Sequence, residues 1–184
     1  MTDRLLELLR ERSYARRRVV LASGKESDFF IDCKQTVLLA EGHALVGAAL
    51  HARIAAHPSR PAAVAGVVLG GCPLASAVAL VSFERGAPLD AIYVRKAPKD
   101  HGSARRIEGD AHLAAGTCVV VVEDVVTTGG STLEAVGALR EAGYEVPLVV
   151  ALVDRREGGA EAITGAGIAF EAIYGREDFL GGGP

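Results

Sequence analysis

The sequence predicts an α/β fold with a central, mostly parallel sheet that is covered by helices. Short runs of branched apolar residues, such as Val119–Val122 and Leu148–Val153, alternate with segments that have helical periodicity. Because these runs do not alternate polar with apolar residues, they are typical of strands buried on both faces, as in parallel sheets. The chain has 184 residues, of which 49% are hydrophobic, and this is enough for one globular core but not for two.

Residues 1–38 are expected to form a small N-terminal hood. Thr2–Arg12 has the spacing of a short amphipathic helix, and Val19–Leu21 and Phe29–Cys33 are strand-like pieces around the turn ASGKES. The sequence contains no linker composition and no internal repeat. We therefore expect residues 39–184 to form the core of the same domain, so that the whole chain is a single domain.

Helices and strands alternate through the core. The predicted helices are Glu41–His57, Pro73–Phe83, Leu133–Ala142 and a short helix after Gly159, and the predicted strands are Ala63–Leu69, Ala91–Val94, Val119–Val122, Leu148–Val153 and Phe170–Ile173. Arg95–Ala115 has neither the helical nor the strand period. Irregular segments of this length inside compact domains are usually functional or mobile, so this segment is a candidate functional loop.

Composition limits the classes of function. The formal net charge of −3 gives no general basic field, so we expect no nucleic-acid partner unless a local patch provides one. Cys33, Cys72 and Cys118 are widely spaced and form no C-x-x-C pair, which argues against a disulfide framework or a zinc site and favours a cytoplasmic location. The N-terminus has no apolar signal core and no run has the length of a membrane span, so we expect no membrane partner.

The segment VVVVEDVVTTGGST, Val119–Thr132, changes abruptly from an apolar strand to two acids and then to a turn rich in glycine and hydroxyl groups. Glu123 and Asp124 could not both be buried without partners, so the strand is expected to end at an opening. The turn offers backbone N–H groups at the start of the following helix, which suits a bound anion. The patterns G-x-x-x-x-G-K-[ST] and G-x-G-x-x-G are absent, so neither a P-loop nor a dinucleotide site is expected. The alternative is a turn that only caps a helix, with both acids in solvent.

The combination of apolar strand, acid pair and T-T-G-G-S-T turn resembles the phosphoribosyl pyrophosphate (PRPP) motif of the type I phosphoribosyltransferases. The resemblance implies the fold of that family, a mostly parallel sheet flanked by helices with a small hood. It also implies that Glu123 and Asp124 accept hydrogen bonds from the two ribose hydroxyls. The other implied PRPP-binding residues of this segment, around the 5-phosphate, are Val125, Val126, Thr127, Thr128, Gly129, Gly130 and Ser131.

A second segment, YVRKAPKDHG, resembles the catalytic loop of the orotate phosphoribosyltransferases within that family. The residues that the resemblance assigns to the pyrophosphate of PRPP are Arg95, Lys96, Lys99 and His101. Asp100 would lie near the leaving group and its protons. Cations in such a loop stabilise the negative charge that grows on departing pyrophosphate. The expected catalytic residues are Arg95, Lys99, Asp100 and His101, and the alternative is a solvated basic loop.

Two further segments resemble the orotate enzymes. VDRREGG follows the predicted strand Leu148–Val153 and carries, at Arg155, an arginine that contacts the carboxylate of orotate in that family. A guanidinium group meets a carboxylate through two parallel hydrogen bonds, which a neutral purine could not offer. In LASGKESDFFID, the resemblance places Phe30 and Ile31 against the base. One of Phe29 and Phe30 is expected to be a core residue. The implied orotate-binding residues are Phe30, Ile31, Thr127 and Arg155.

Three positions depart from the family pattern. Many members carry tyrosine and lysine ahead of the G-x-P turn that follows the first buried strand, whereas this chain has Leu69 and Gly70. Ala22 stands where some members have a lysine. The turn can still present the backbone of Gly70, Gly71 and Cys72 to pyrophosphate, but it does so without that charge.

The resemblance extends from about Leu21 to Arg156 and implies an orotate phosphoribosyltransferase. In that reaction N1 of orotate attacks C1 of PRPP and displaces pyrophosphate, giving orotidine 5-monophosphate in pyrimidine biosynthesis. The resemblance further implies Mg²⁺ bound mainly through PRPP, with no metal site made by the protein alone, and a homodimer whose basic loop reaches the neighbouring site. The remaining alternatives are a phosphoribosyltransferase for another nucleobase and a PRPP-sensing regulatory protein.

Overall fold

The computed structural model describes residues 3–15, 19–20, 26–27, 29–95 and 106–180. The predicted site residues Lys96, Lys99, Asp100 and His101, and also Ala22, lie outside these ranges. In chain order the elements are α1 (Arg4–Arg12), β1 (Tyr14–Ala15), β2 (Val19–Val20), β3 (Glu26–Ser27), β4 (Phe30–Ile31), α2 (Lys34–Val37), α3 (Ala40–Ala56), β5 (Ala63–Val67), α4 (Gly71–Glu84), β6 (Asp90–Val94), β7 (Ile107–Glu108), β8 (Val119–Val126), α5 (Gly130–Glu141), β9 (Leu148–Asp154), α6 (Gly159–Gly165), β10 (Ala169–Gly175) and α7 (Arg176–Leu180).

The described residues form a six-stranded sheet with the order β10-β9-β8-β5-β6-β7. The first five strands in that order are parallel to one another, and β7 is antiparallel to β6. The prediction of a mostly parallel sheet flanked by helices is therefore confirmed. Two short antiparallel pairs, β1 with β4 and β2 with β3, lie outside this sheet.

The core consists of two apolar layers, one on each face of the sheet. Alternate residues of β8 enter opposite layers, so that Val120 and Val122 pack with α3 and α4, whereas Val119 and Val121 pack with α5. All four valines are fully buried. A strand covered on both faces needs apolar residues at every position, which explains the unbroken valine run.

Strand β8 continues to Val126, beyond its predicted end at Val122. Its pairing with β9 extends to Val126, opposite Asp154, but its pairing with β5 ends at Val122, opposite Gly66. The acid pair therefore begins where the pairing of β8 with β5 ends. Since the chain leaves β5 towards β6 on one side and returns to β8 on the other, this point is the topological switch point of the sheet, where such folds bind ligands.

Sequence analysis missed α2, α7, β1, β3 and β7, which are all too short to show a clear period. The prediction that Arg95–Ala115 has no regular structure was wrong for Ile107–Glu108, which pairs with Val94 and Tyr93. Helix α5 also begins at Gly130, ahead of the predicted start at Leu133. Among the described residues, no helix has both the length and the apolar character that crossing a membrane requires.

Candidate active site

The predicted site residues that the structure describes come mainly from strand ends at the carboxyl edge of the sheet. Strand β8 leads into the TTGG turn, β9 into Arg155, β6 into Arg95, and β5 into the turn that contains Gly70. Because these four strands are neighbours in the sheet, their loops lie together. The sequence motifs, which are far apart in the chain, therefore meet at one edge of the molecule.

Glu123 and Asp124 have different surroundings. Glu123 is 6% exposed, and its Oε2 accepts a hydrogen bond from Thr132 Oγ1 at 3.3 Å. Asp124 is half-buried, and its Oδ1 accepts a hydrogen bond from the backbone N–H of Val125 at 2.9 Å. Sequence analysis expected both acids at an opening; Asp124 is the accessible one, and Glu123 is buried with a hydroxyl partner.

The TTGG turn brings backbone N–H groups to the start of α5. The helix begins at Gly130 because Gly129 adopts the left-handed conformation, with φ of 79°, which glycine tolerates without strain. Thr128 and Gly130 are exposed, and Thr127 and Ser131 are half-buried, so a ligand can reach the turn. The first N–H groups of a helix have no partner within it and lie at its positive end, which favours an anion.

The loop after β9 packs closely against this turn. A Cβ atom at Gly159 would lie 2.4 Å from Cγ1 of Val126 and 2.6 Å from the carbonyl oxygen of Thr127, so a larger residue there would displace the turn. Val126 is 1% exposed, and Val125 packs against the core. Val126 can therefore contact a ligand only through its backbone, whereas the side chain of Val125 is half-buried.

The turn after β5 touches the carboxylate of Asp124. A Cβ atom at Gly70 would lie 2.0 Å from Oδ2 and 2.5 Å from Oδ1 of Asp124, so any side chain at Gly70 would compete with the carboxylate for space. Gly70 is one of the positions at which sequence analysis noted a departure from the family pattern. In this chain, the absence of a side chain at Gly70 allows the acid of β8 to lie against the turn after β5.

Two thiols lie next to these loops, that of Cys33 buried and that of Cys72 half-buried. Burial raises the pKa of Cys72, and the nearby charge of Arg95 acts in the opposite direction. Burial also raises the pKa of Cys33 well above its ordinary value, and the charge of Asp124 adds to this effect. Both thiols therefore stay protonated at neutral pH, so neither serves as a thiolate nucleophile.

Arg95 lies at the base of the basic loop. Its backbone N–H donates to the carbonyl oxygen of Arg106 at 2.8 Å, and its Nε donates to Glu108 Oε1 at 2.9 Å. The Arg95 side chain is 41% exposed, and an exposed ion pair of this kind contributes little stability, so it leaves the guanidinium able to bind an anion. The loop residues 96–105, which include four of the predicted residues, lie outside the described ranges.

Arg155 is the first residue after β9 and points towards the N-terminal aromatic residues. Its side chain is buried, its Nη2 lies 2.8 Å from Glu157 Oε1, and its Cζ lies 5.6 Å from the centre of the Phe29 ring. The neighbouring Arg156 instead pairs with Glu177, with Nη2 2.8 Å from Oε1. Of the two adjacent arginines, Arg155 is thus the one beside the expected base site.

The aromatic pair divides as expected, with one residue in the core. Phe29 is fully buried, and its ring centre lies 5.1 Å from that of Tyr14 and 5.7 Å from that of Phe179. Phe30 and Ile31 are half-buried in β4. The half-buried residues are the two that sequence analysis placed against the base.

Sequence analysis did not single out Asp32 and Lys34, which lie near the acid pair. Lys34 Nζ is 2.6 Å from Asp32 Oδ1, and the thiol of Cys33 donates to the backbone carbonyl of Asp124 at 3.8 Å. No periodicity or motif marks the stretch IDCK, because its position depends on the contact of Cys33 with Asp124 of β8, 91 residues along the chain. A third overlooked residue is Arg176, which follows β10 at the same edge of the sheet.

Comparison with known proteins identifies the family. Residues 38–175 match the phosphoribosyl transferase domain. An orotate phosphoribosyltransferase of Sorangium cellulosum is 63% identical over 182 residues, which cover 99% of this chain and 94% of that protein. The chain belongs to the orotate phosphoribosyltransferase family. A second family member, from Bradyrhizobium sp. (strain ORS 278), is 47% identical over 180 residues that cover 96% of each chain.

Solved structures of orotate phosphoribosyltransferases have the same fold. The Mycobacterium tuberculosis enzyme in complex with Fe(III) dicitrate has a TM-score of 0.81 and 39% identity, over 95% of this chain and 96% of that one. The same enzyme in complex with PRPP has a TM-score of 0.78 and 36% identity, over 96% of each chain. The expected type I phosphoribosyltransferase fold is thereby confirmed. The family is also consistent with a metal requirement associated with PRPP.

Proposed function

We propose that this chain is an orotate phosphoribosyltransferase, a glycosyltransferase that transfers the 5-phosphoribosyl group of PRPP to N1 of orotate. The products are orotidine 5-monophosphate and pyrophosphate, and the reaction is a step of pyrimidine biosynthesis. The observation that carries this proposal is the meeting of the acid pair and TTGG turn of β8 with Arg155 of β9 at one sheet edge. The first group suits a phosphorylated sugar, and Arg155 suits an acidic base.

On the sugar side, Glu123 and Asp124 accept hydrogen bonds from the ribose hydroxyls. The 5-phosphate binds to the turn 125–131, through the backbone of Val125, Val126, Gly129 and Gly130 and the backbone and hydroxyls of Thr127, Thr128 and Ser131. The positive end of α5 adds to this attraction. Holding both ends of the ribose fixes its C1 atom relative to the incoming base, which lowers the entropic part of the barrier.

Gly70→Ala is expected to raise the KM for PRPP about threefold to tenfold, because the new methyl group forces Asp124 out of its present rotamer. The Asp124 side chain can turn away, so the melting temperature should change little. Steady-state kinetics with PRPP as the varied substrate measures the effect. The matched control is Gly137→Ala on α5, where a Cβ atom would meet nothing within 4 Å; equal KM values in the two variants would contradict the role given to Gly70.

On the base side, the guanidinium of Arg155 donates to the carboxylate of orotate, and the hydroxyl of Thr127 supplies a further hydrogen bond. Phe30 and Ile31 lie against the pyrimidine ring. A paired guanidinium and carboxylate give directional recognition that a neutral base cannot offer. The same contacts orient N1 of the base towards C1 of the ribose.

In the transfer step, N1 of orotate forms a bond to C1 while the bond from C1 to the pyrophosphate oxygen breaks. The electron pair of that bond leaves with pyrophosphate, so negative charge grows on the side of the basic loop. Arg95, Lys96, Lys99 and His101 bind this charge. The proton that N1 of orotate loses is taken up by pyrophosphate, beside which Asp100 is proposed to lie. Preorganised cations in a site closed to water lower the barrier because they stabilise charge that develops in the transition state.

Mg²⁺ is the proposed cofactor and binds mainly through PRPP. It prefers oxygen ligands and keeps several waters, and the accessible carboxylate of Asp124 together with the sugar and phosphate oxygens fits this preference. No group of three or more His, Cys, Asp and Glu side chains in the described part of the chain could hold a metal by itself. When bound, the ion neutralises part of the pyrophosphate charge.

We also infer a homodimer in which the basic loop of each chain reaches the site of its partner. Leu80 and Phe83 support this association, because they lie about one helical turn apart on α4 and are 56% and 73% exposed.

The whole chain forms one domain, with residues 1–38 as a hood over residues 39–184. The proposed location is the cytoplasm, since all three cysteines are free thiols, and neither nucleic acid nor membrane is a proposed partner.

With PRPP and Mg²⁺, the purified protein is expected to consume orotate but not adenine, hypoxanthine or uracil. Arg155 and the R-K-x-x-K-D-H-G loop together motivate this selectivity. Chromatography of the reaction mixture after a fixed time measures each base and each nucleotide. Consumption of a purine instead would overturn the assignment to orotate, and PRPP binding without consumption of any base would favour a PRPP-sensing protein.

A further inference from the structure

Arg176 lies next to Arg155 at the carboxyl edge of the sheet. Strands β10 and β9 are parallel, and their last paired residues are Gly175 and Asp154. The next residue on each segment is an arginine, so Arg176 and Arg155 leave neighbouring strands at the same level. This juxtaposition depends on the register of the two strands and is not visible in the sequence.

Both guanidinium groups lie over the same aromatic ring. The Cζ atom of Arg155 is 5.6 Å and that of Arg176 is 5.5 Å from the centre of the fully buried Phe29 ring. Cations at this distance from an aromatic ring are attracted by its electrons, so the ring helps to hold both groups in place. Because Arg155 is the residue proposed to bind the carboxylate of orotate, Arg176, which shares the Phe29 ring with it, lies beside the proposed carboxylate site.

The two arginines differ in their surroundings. Arg155 is buried and forms a 2.8 Å ion pair with Glu157, so that pair has no net charge. A carboxylate bound to Arg155 gains directed hydrogen bonds but is repelled by the nearby negative charge of Glu157. Arg176 is half-buried, so it can be reached by a ligand. A second cation at this edge of the sheet offsets the repulsion between Glu157 and the carboxylate of an acidic base.

We infer that Arg176 is a second carboxylate-recognition residue of the base site, which acts with Arg155 to select an acidic pyrimidine over a neutral one. This inference rests on the proposed function, because it needs a pyrimidine site beside Phe30. It assigns Arg176 to binding and specificity, while the transfer step uses the residues already named.

The test compares two nucleotides that differ only in the carboxylate, orotidine 5-monophosphate and uridine 5-monophosphate. Calorimetric titration measures both dissociation constants for wild type, Arg176→Ala and Arg176→Lys. Arg176→Ala is expected to raise the dissociation constant of orotidine 5-monophosphate about tenfold or more, because a charge-assisted contact to the carboxylate is lost. The dissociation constant of uridine 5-monophosphate should change less than about twofold. Arg176→Lys should recover part of the loss because it keeps the charge.

Arg10→Ala is the matched control for a purely structural role of this region. The guanidinium of Arg10 donates to the backbone carbonyl oxygen of Asp178 on α7, with Nε at 3.1 Å, so its loss loosens α7 without removing Arg176. Equal weakening of both nucleotides by Arg176→Ala, no weakening of either, or the same selective loss in Arg10→Ala would overturn the inference.

Orotate consumption by the wild-type protein separates the two proposals. If wild type consumes orotate and Arg176→Ala keeps the wild-type ratio of the two dissociation constants, only the inference on Arg176 fails. If wild type consumes no orotate and binds both nucleotides equally, the proposed function fails, and the inference on Arg176 fails with it.

Discussion

Asp124→Asn is expected to lower kcat/KM for PRPP about 10²-fold, or about 3 kcal/mol in transition-state binding. The carboxylate is half-buried at the switch point of the sheet, and hydrogen bonds to a charged acceptor are about twice as strong as neutral ones. Asparagine has nearly the same shape, but it replaces one acceptor oxygen by an NH₂ donor, which suits a ribose hydroxyl less well. Initial rates at saturating orotate, with PRPP varied, measure the loss.

The fold should survive this change, because an asparagine oxygen can still accept the N–H of Val125. Asp90→Asn is the matched control, since Asp90 begins β6 at the opposite edge of the sheet and its side chain is 58% exposed. Melting curves of both variants should stay close to wild type. Wild-type kinetics in Asp124→Asn would mean that the acid is merely solvated and would remove the basis for the PRPP site.

The layered fold could be predicted because it depends on local pattern. The valine run of β8 and the apolar run of β9 are continuous, and only strands covered on both faces need such runs. The boundaries were less predictable, since β8 ends where pairing with β9 stops, at Val126, and pairing is a property of two segments. The short helices α2 and α7 have too few residues to show a period.

The candidate site was predictable where its chemistry is contiguous in the chain. The acid pair and the TTGG turn lie together within β8 and the start of α5, so one segment carries the whole signal. Contacts between distant segments were not predictable. The approach of Gly70 to the Asp124 carboxylate and the alignment of Arg176 with Arg155 both follow from strand register, which a single sequence does not encode locally.

Lys99→Ala is expected to lower kcat about 10²-fold or more, about 3 kcal/mol, while the KM for orotate changes less than about twofold. Its charge is proposed to act on departing pyrophosphate, so its loss raises the energy of the transition state more than that of bound orotate. Lys99→Arg is the matched control because it keeps the charge on a longer side chain, and it should retain more activity. An unchanged rate in Lys99→Ala would return the loop to a solvated basic segment.

If the loop acts across a dimer interface, mixing Lys99→Ala with Asp124→Asn should restore activity that neither variant has alone. In a mixed dimer, the acid pair of the Lys99→Ala chain would meet the intact loop of the Asp124→Asn chain, so one site of the two would be complete. Native mass spectrometry of differently tagged chains must first establish that subunits exchange. Once exchange is established, recovery should approach about half of the wild-type rate per mixed dimer, as one complete site in two requires. No recovery in verified mixed dimers would mean that Lys99 serves the site of its own chain.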